Sequence, residues 1–275
     1  MKHLIFWGRR WIPVAIFTIA APFFVIFSRA WRRKLQAAYE IGMNPYWDRV
    51  VSLSELVDDP LAVQIAPLKA SEHNCSEFEL LVLGALVKQT QSKSVFEIGT
   101  FDGRSTRTLA LNASENGLIT TLNLPPDQGE NDAGLANVDS LLNLKVRSGN
   151  RFLGTPEEGR IKQIYGDSAT FEFDDYRGQF DLIFIDGSHS EEYVEKDTET
   201  SLRLLRPEGG LIVWHDGPFY GVVRYLRRKI RNEDWPIKLV EGTTLMIGYA
   251  RQGKLIKLPT PLPNATSAAK KDRQN

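Results

Sequence analysis

The sequence predicts an α/β protein whose sheet is mostly parallel and covered by helices on both faces. Segments with strand character alternate with segments of helical spacing along residues 76–250. Several of these strands are apolar on both faces, as strands buried between two helical layers are. Two strands in succession near the carboxyl end predict, in addition, an antiparallel hairpin at the edge of the sheet.

The first half of this region predicts a helix, a strand, a second helix and a second strand. Helical spacing connects five apolar residues, namely Phe78, Leu81, Val82, Ala85 and Leu86. The strand Ser94–Ile98 stops at Gly99, a helix begins near Arg104, and a strand covers Leu118–Leu124. Residues 125–160 form a long polar excursion with a weak helical patch at Val138–Leu144, and such excursions are often functional lids.

The second half repeats the alternation. Ser190 is predicted to cap a helix that runs to Leu205, because a serine hydroxyl can accept from the first free backbone N–H groups. The other predicted elements are strands at Ile161–Tyr165, Phe180–Ile185, Leu211–Trp214, Ile237–Val240 and Thr244–Tyr249, and a short helix around Val222–Ile230. Residues 35–75 are predicted to be a linker and irregular entry segment, and the polar, proline-rich residues 251–275 a disordered tail.

Composition excludes several classes of protein. The 21 glycines and 14 prolines in 275 residues are ordinary, so the chain is neither collagen-like nor of low complexity. Cys75 is the single cysteine, which excludes an intrachain disulfide and a cluster of cysteines around a metal; we expect it to be a small structural residue. Residues 35–275 carry 27 basic and 34 acidic side chains, a net charge of −7, and this acidic body argues against binding of nucleic acid.

The basic excess lies at the amino end, around an apolar run. Residues 1–34 contain seven basic residues and no acidic one, and Trp11–Ser28 contains no charge at all. As a helix this run would be roughly 27 Å long, just enough for a hydrocarbon core about 30 Å thick. We therefore expect residues 1–34 to be a membrane anchor. A helix lying in the membrane interface and a signal peptide cleaved near Ala30 are the alternatives.

The basic flanks bear on the orientation of this anchor. Three basic residues precede the apolar run and four follow it, and the membrane side with more Lys and Arg is usually cytoplasmic. This small difference favours a body that faces the cytoplasm from the cytoplasmic membrane. Positive charge directly after Ala30, at residues 32–34, opposes export and so counts against the signal peptide.

Acidic or polar residues follow nearly every predicted strand. In open α/β sheets ligands bind outside the carboxyl ends of the strands. Those ends carry the loop 97–103, Asn123, Asp167, the segment 186–189 and the segment 214–216. Loop 97–103 can bring backbone close to a ligand at a helix start, but it is not the G-x-G-x-x-G dinucleotide motif.

Three motifs at these strand ends carry a family resemblance. Residues 95–106 (VFEIGTFDGRST) resemble the first motif of class I S-adenosylmethionine-dependent methyltransferases. Residues 180–189 (FDLIFIDGSH) and 204–216 (LLRPEGGLIVWHD) are similar to later strands of that Rossmann-like fold. Together they look most like the small-molecule O-methyltransferase branch that contains cephalosporin-hydroxylase-like and macrolide sugar methyltransferases. The resemblance covers about residues 76–250.

The resemblance implies a site for S-adenosylmethionine (SAM). Glu97 would face the amino-acid end of the cofactor, Asn123 would accept from the ribose, and Asp167 with Ser168 would lie beside the adenine. Asp167 as a plain turn residue is the alternative. The cofactor residues implied are Glu97, Gly99, Thr100, Gly103, Ser105, Asn123, Asp167, Ser168 and Asp186.

The resemblance also implies a divalent cation, Mg²⁺ or Mn²⁺, held by Asp186, His215 and Asp216. His189 or His215 would then be the catalytic base that takes the proton from the acceptor hydroxyl, although both histidines could instead close polar turns. Asp197, on the inward stripe of the helix after Ser190, needs a partner. It could orient His189, act as a cap, or pair with an arginine.

The function that follows is methyl transfer from SAM to a hydroxyl of a small molecule, a sugar or a lipid-linked glycan. The sequence leaves open whether the chain forms a homo-oligomer. Two other functions are compatible with such a sheet: a nicotinamide-dependent oxidoreductase, against which the missing G-x-G-x-x-G counts, and a non-catalytic, membrane-anchored scaffold.

Overall fold

The computed structural model describes residues 46, 49–58, 60–71, 74–125 and 147–264. The chain divides into two compact units, residues 1–48 and 49–275, and all elements named below belong to the second. The predicted anchor at residues 1–34, the helical patch at Val138–Leu144 and tail residues 265–275 lie outside the described residues. Among the described residues, no helix is long and apolar enough to span a bilayer.

The described residues contain nine strands and five α-helices. The strands are β1 (Val50–Val51), β2 (Ser94–Ile98), β3 (Leu118–Asn123), β4 (Ile161–Tyr165), β5 (Leu182–Ile185), β6 (Gly210–Trp214), β7 (Lys238–Val240), β8 (Met246–Arg251) and β9 (Lys254–Ile256). The helices are α1 (Leu53–Leu56), α2 (Glu77–Thr90), α3 (Arg104–Asn112), α4 (Glu191–Leu204) and α5 (Tyr220–Glu233).

The strands form one mixed sheet in the order β1-β7-β8-β6-β5-β2-β3-β4, with β9 added beside β8. Strands β2 to β6 run parallel to their neighbours within this group, so their carboxyl ends share one edge. Within this parallel group the chain first forms β2, continues outward through β3 to β4, and then returns to form β5 on the other side of β2. This reversal is the topological switch point at which open α/β sheets bind ligands, and the predicted α/β class is confirmed.

The antiparallel hairpin exists, but its predicted place at the edge is wrong. Strand β8 pairs antiparallel with both β6 and β7, and thus lies inside the sheet. Residues 246–250 of β8 are buried, so this strand needs a neighbour on each side. The edge is formed by β1, which pairs parallel with β7. A two-residue strand in the entry segment is too short to produce a sequence pattern.

The predicted disorder of the tail is wrong for residues 251–264. Strand β9 lies here, and both Leu258 and Leu262 are buried. The backbone N–H of Leu262 donates to Leu56 O, and the Gln89 side chain donates to Leu262 O. Two apolar residues that fill a gap beside α1 and α2 order a stretch whose composition is otherwise polar.

The caps explain where the long helices begin and end. The Ser190 hydroxyl accepts from the Tyr193 N–H at 3.3 Å, which confirms the predicted start of α4. Helix α2 begins with a capping box in which Ser76 and Glu79 bond reciprocally. Helix α5 is longer than predicted because its last turn is polar: Lys229 pairs with Glu233 at 2.8 Å, and the helix stops at Asp234 with positive φ.

Candidate active site

The structure brings the predicted site residues to one edge of the sheet. Loop 99–103 follows β2, Asn123 ends β3, Asp167 and Ser168 follow β4, the segment 186–189 follows β5, and His215 with Asp216 follow β6. Within this edge two groups differ in chemistry. Around β2 to β4 the polar side chains bond to one another, whereas around β5 and β6 carboxylates and imidazoles face each other.

Asn123 holds loop 99–103 in place. Its Oδ1 accepts from the backbone N–H groups of Thr100 (3.2 Å) and Phe101 (3.3 Å). The Thr100 hydroxyl in turn bonds the hydroxyl of Thr121 at 2.7 Å. Both side chains thus shape the loop, and the amide oxygen that we expected to accept from the ribose is already engaged.

Glu97 lies beneath the same loop and is fully buried. Its carboxylate accepts from the hydroxyls of Ser105 (2.6 Å), Thr121 (2.7 Å) and Thr106. Burial raises the pKa of Glu97 to about 7, against the lowering effect of these hydroxyls. Because both oxygens are occupied, Glu97 and Ser105 fasten α3 to the sheet in this structure, and the expected contact of Glu97 with the cofactor would require these bonds to open.

Gly99 is required by the neighbouring strand as well as by the loop. It has a φ of +98°, and a Cβ there would lie 2.1 Å from the carbonyl oxygen of Asp186. Gly103, the residue before α3, has a φ of +87°, and its Cβ would collide with the Phe152 ring at 2.6 Å. A side chain at Gly99 would therefore displace Asp186, so Gly99 has a packing role that the sequence prediction missed.

Asp167 closes a turn, the alternative that the sequence left open. Its Oδ1 accepts from the Ala169 N–H at 2.9 Å, and its Oδ2 accepts from the Tyr193 hydroxyl at 3.2 Å. Its position after β4 agrees with the expected adenine end of the site, while the contact with adenine stays a prediction.

Asp197 is a buried acid on α4. It is 0% exposed, and within the described part of the chain neither oxygen has a hydrogen bond of normal geometry. Its Oδ2 faces Gly187: a Cβ atom added to Gly187 would lie 3.6 Å from this oxygen. Burial raises the pKa of Asp197 to about 7, with the Ser168 hydroxyl opposing the shift. Asp197 thus lies close to Gly187 of the 186–189 segment, and none of the described salt bridges includes it.

This burial predicts a pH dependence of stability. An acid with a raised pKa in the folded state keeps its proton after the unfolded chain has lost it, so stability falls as pH rises from about 4 to about 7. Asp197→Asn removes the ionisable group and should flatten this decline by at most about 4 kcal/mol. Urea denaturation of both proteins across this pH range checks it; parallel pH profiles would show that Asp197 does not contribute.

His189, His215 and Asp216 form a cluster at the ends of β5 and β6. His189 Nε2 lies 3.2 Å from Asp216 Oδ2. His215 Nδ1 lies 3.0 Å from Asp186 Oδ1 and 3.6 Å from Asp216 Oδ1. The predicted metal ligands therefore converge on one ring nitrogen, and His189 adds a further donor, since one ligand atom each of His189, His215 and Asp216 lies within 4.8 Å of the others.

This cluster has donors that fit a divalent cation. Nδ1 of His215 is buried and lies 3.0 Å from Asp186 Oδ1 and 3.6 Å from Asp216 Oδ1, without a hydrogen bond of normal geometry to either carboxylate. A ring nitrogen in this position can bind a metal when it is neutral. Imidazole together with carboxylate suits Mn²⁺ better than the harder Mg²⁺.

Glu79 is a member of the site that sequence analysis missed. It belongs to α2, and its Oε2 lies 3.6 Å from His215 Nε2 while its Oε1 accepts from the backbone and hydroxyl of Thr244. Burial acts to raise the pKa of Glu79, but His215 and Thr244 outweigh it and hold this pKa below its ordinary range. The only available signal was Glu79 at the third position of a capping box, which indicates a helix start and not a site.

His215 is thus enclosed by acids on two sides. Burial acts to lower its pKa, but the Asp186 carboxylate outweighs burial and raises the pKa of His215 well above its ordinary value. The side chain of His215 is 10% exposed, against 23% for His189. Of the two histidines predicted as catalytic, His189 is the more accessible and His215 the more firmly held.

Two cavities differ in size and in chemistry. The cavity beside Asp186, His189 and His215 measures about 10 Å³. A larger one, of about 280 Å³, lies between residues 169–177 and the last turn of α4, where Arg177 and Arg203 contribute to its lining. The larger cavity contains none of the clustered histidines and acids, so volume alone does not locate the chemistry.

The topology and the polar strand ends agree with a match to a known family. Residues 96–217 match the family model described as a methyltransferase domain. This match identifies a methyltransferase domain in the chain. A nicotinamide-dependent oxidoreductase and a non-catalytic scaffold, the two alternatives, do not agree with this assignment. A search of the curated proteins finds no match to the sequence.

Solved structures of other methyltransferases are similar to this one. The O-methyltransferase from Bacillus cereus in complex with S-adenosylhomocysteine (SAH) shares 22% identity and has a TM-score of 0.45, covering 68% of this chain and 84% of that chain. An O-methyltransferase from Streptomyces achromogenes involved in tomaymycin synthesis, in complex with SAM, shares 18% identity with a TM-score of 0.46, covering 65% and 82%.

Proposed function

We propose that this methyltransferase transfers the methyl group of SAM to a hydroxyl of a small molecule, a sugar or a lipid-linked glycan. The observation that carries the proposal is the pair formed by His189 and Asp216, 3.2 Å apart at the switch-point edge of the sheet. A hydroxyl is a poor nucleophile until it loses its proton, and an imidazole steadied by a carboxylate is suited to remove it.

In the proposed reaction His189 takes the proton of the acceptor hydroxyl. The oxygen lone pair then forms the new C–O bond, the C–S bond breaks, and its electron pair returns to sulfur, which leaves SAH. Asp216 holds the imidazole and stabilises the positive charge that it acquires. The carbonyl of His189 accepts from the Gly221 N–H at 2.9 Å, so α5 fixes the backbone that carries the base.

A divalent cation would be held by Asp186, His215 and Asp216, with His189 beside them. Such an ion, when bound, would lower the pKa of the acceptor hydroxyl and orient it. Glu79 would keep the far side of His215 in place, because a carboxylate behind a metal-bound histidine fixes its ring and raises its basicity.

The methyl-transfer proposal is tested by chelation. Methyl transfer from labelled SAM is measured with matched acceptors that offer a hydroxyl, an amine or a carboxylate. We expect label on the hydroxyl acceptor, loss of transfer after chelation, recovery with Mn²⁺, and SAM binding retained in Asp216→Asn. Transfer to the amine alone would contradict the O-methyl assignment. Full activity in the chelated enzyme would contradict the proposed role of a metal.

We also propose that residues 1–34 attach the protein to the cytoplasmic membrane, with the body on the cytoplasmic side. The support is the charge-free run Trp11–Ser28 between basic flanks. Fractionation of the full chain should find it in the membrane fraction until detergent is added. Soluble protein without detergent, or a chain cleaved near Ala30, would contradict the anchor.

A further inference from the structure

Cys75 lies against the acid–histidine cluster. Its Sγ is 3.9 Å from Asp186 Oδ2, and Asp186 Oδ1 is 3.0 Å from His215 Nδ1. Sulfur, carboxylate oxygen and ring nitrogen all lie within 4.8 Å of one another. Cys75 is 4% exposed and His215 is 9% exposed, so two of the three donors are more than nine-tenths buried.

The entry segment is fixed in the position that brings Cys75 there. The guanidinium of Arg104 donates to the Cys75 carbonyl at 2.5 Å, and to the carbonyls of Pro67 and Leu68. The next residue, Ser76, is tied to Glu79, the acid that faces the other side of His215. Cys75 and His215 are therefore positioned by one connected set of bonds.

We infer that Cys75, Asp186 and His215 form a binding site for a thiophilic divalent cation such as Zn²⁺. This site differs from the cation set of the proposed function, which is Asp186, His215 and Asp216. Both sets need Asp186 and His215, so one ion excludes the other. The inference deepens the proposed function, because it states which ions the site selects, yet it does not depend on methyl transfer.

The spacing of the donors fits such an ion. Zn²⁺ takes sulfur at about 2.3 Å and nitrogen or oxygen at about 2.0–2.2 Å, so tetrahedral ligand atoms lie about 3.3–3.6 Å apart. Asp186 Oδ1 lies 3.0 Å from His215 Nδ1, and Asp186 Oδ2 lies 3.9 Å from Cys75 Sγ, one on each side of this range. Since one donor atom of each residue lies within 4.8 Å of the others, side-chain shifts of about 1 Å would close the site. The fourth tetrahedral position stays open to solvent or substrate.

The donor types decide which ions bind. A thiolate prefers Zn²⁺, Cd²⁺ or Co²⁺ over Mg²⁺ and Mn²⁺, which favour oxygen. Burial raises the pKa of the Cys75 thiol to about 12, so the thiol is protonated without a metal. Binding forms the metal–sulfur and metal–nitrogen bonds and releases the thiol proton and the proton of the His215 imidazolium to the buffer. A thiophilic ion would then inhibit the enzyme by withdrawing Asp186 and His215 from the other set.

The single cysteine makes the test direct. The full chain, kept reduced with a phosphine in place of a thiol, is titrated with Co²⁺ without SAM or acceptor, and the thiolate-to-cobalt charge-transfer band is recorded. Since the chain has one cysteine, any such band from the monomer belongs to Cys75. We expect the band in the wild type, its removal by one equivalent of Zn²⁺, and its loss in Cys75→Ser and His215→Ala.

Two matched variants separate the two sets of ligands. His189→Ala and Asp216→Asn should retain the cobalt–thiolate band, because neither residue belongs to the proposed site. Absence of the band in the folded wild type would overturn the inference, as would its loss in His189→Ala together with its survival in His215→Ala. Because the titration contains no methyl donor, a failed O-methyl assignment would leave its result unchanged.

Discussion

Replacing His189 with alanine should lower the turnover of methyl transfer about 10²–10⁴-fold, the usual contribution of a positioned general base. The affinity for SAM should change little, because the side chain of His189 faces Asp216 and not loop 99–103. The measurement is kcat with a hydroxyl acceptor, together with a calorimetric titration of SAM.

The control for His189→Ala is Ser188→Ala in the same segment. It perturbs the same backbone but removes no group that we propose to move a proton, so its turnover should stay close to that of the wild type. Added imidazole should restore part of the lost turnover in His189→Ala if proton removal is what the variant lacks. Unchanged turnover in His189→Ala would show that another residue is the catalytic base.

Replacing Arg104 with methionine should destabilise the fold by about 2–4 kcal/mol, because the buried carbonyl of Cys75 and the partly buried carbonyls of Pro67 and Leu68 lose their donor. Arg104 is 1% exposed, donates to the carbonyls of Pro67, Leu68 and Cys75, and pairs with Glu77 at 2.8 Å. Methionine keeps the volume but leaves these acceptors unpaired. The free energy of unfolding in urea gives the loss.

Arg177→Met is the control at an exposed ion pair. Arg177 pairs with Asp174 at 2.8 Å, and the two side chains are 55% and 75% exposed, so we expect a loss of less than about 1 kcal/mol. Equal losses in the two variants would mean that the carbonyls held by Arg104 find other donors. A large loss at Arg104 alone would identify it as the residue that orders the entry segment.

The strand ends could be predicted from the sequence because their pattern is local. Apolar runs that end in Asp186 and in His215-Asp216 predict two neighbouring parallel strands, and parallel strands have their carboxyl ends at one edge of the sheet. The predicted convergence of Asp186, His215 and Asp216 follows from that rule. Their distances to His189 depend on how the segment after β5 turns, which the pattern does not state.

The roles of the residues around β2 were harder to predict than their positions. Glu97 and Asn123 are at the expected strand ends, but the hydroxyls and amides next to them take up their hydrogen bonds. Whether a polar side chain serves a ligand or the scaffold depends on these neighbours, several of which come from the adjacent strand. Motif spacing contains no information on that competition.

Glu79 and Cys75 could not be predicted as parts of the site at all. Both precede the first strand of the parallel group, and they reach His215 only because the buried Arg104 and the capping box of α2 fix the entry segment. A sequence pattern shows a helix start there. The contact across the fold becomes visible only with the coordinates.

We propose that SAM binds at the carboxyl ends of β2 to β5, with its methyl group directed at His189. A crystal structure with bound SAH tests it most directly. We expect SAH against loop 99–103 and residues 186–187, with its sulfur towards His189 and Asp216. SAH in the 280 Å³ cavity beside Arg177 and Arg203, or with its sulfur turned away from His189, would contradict the account.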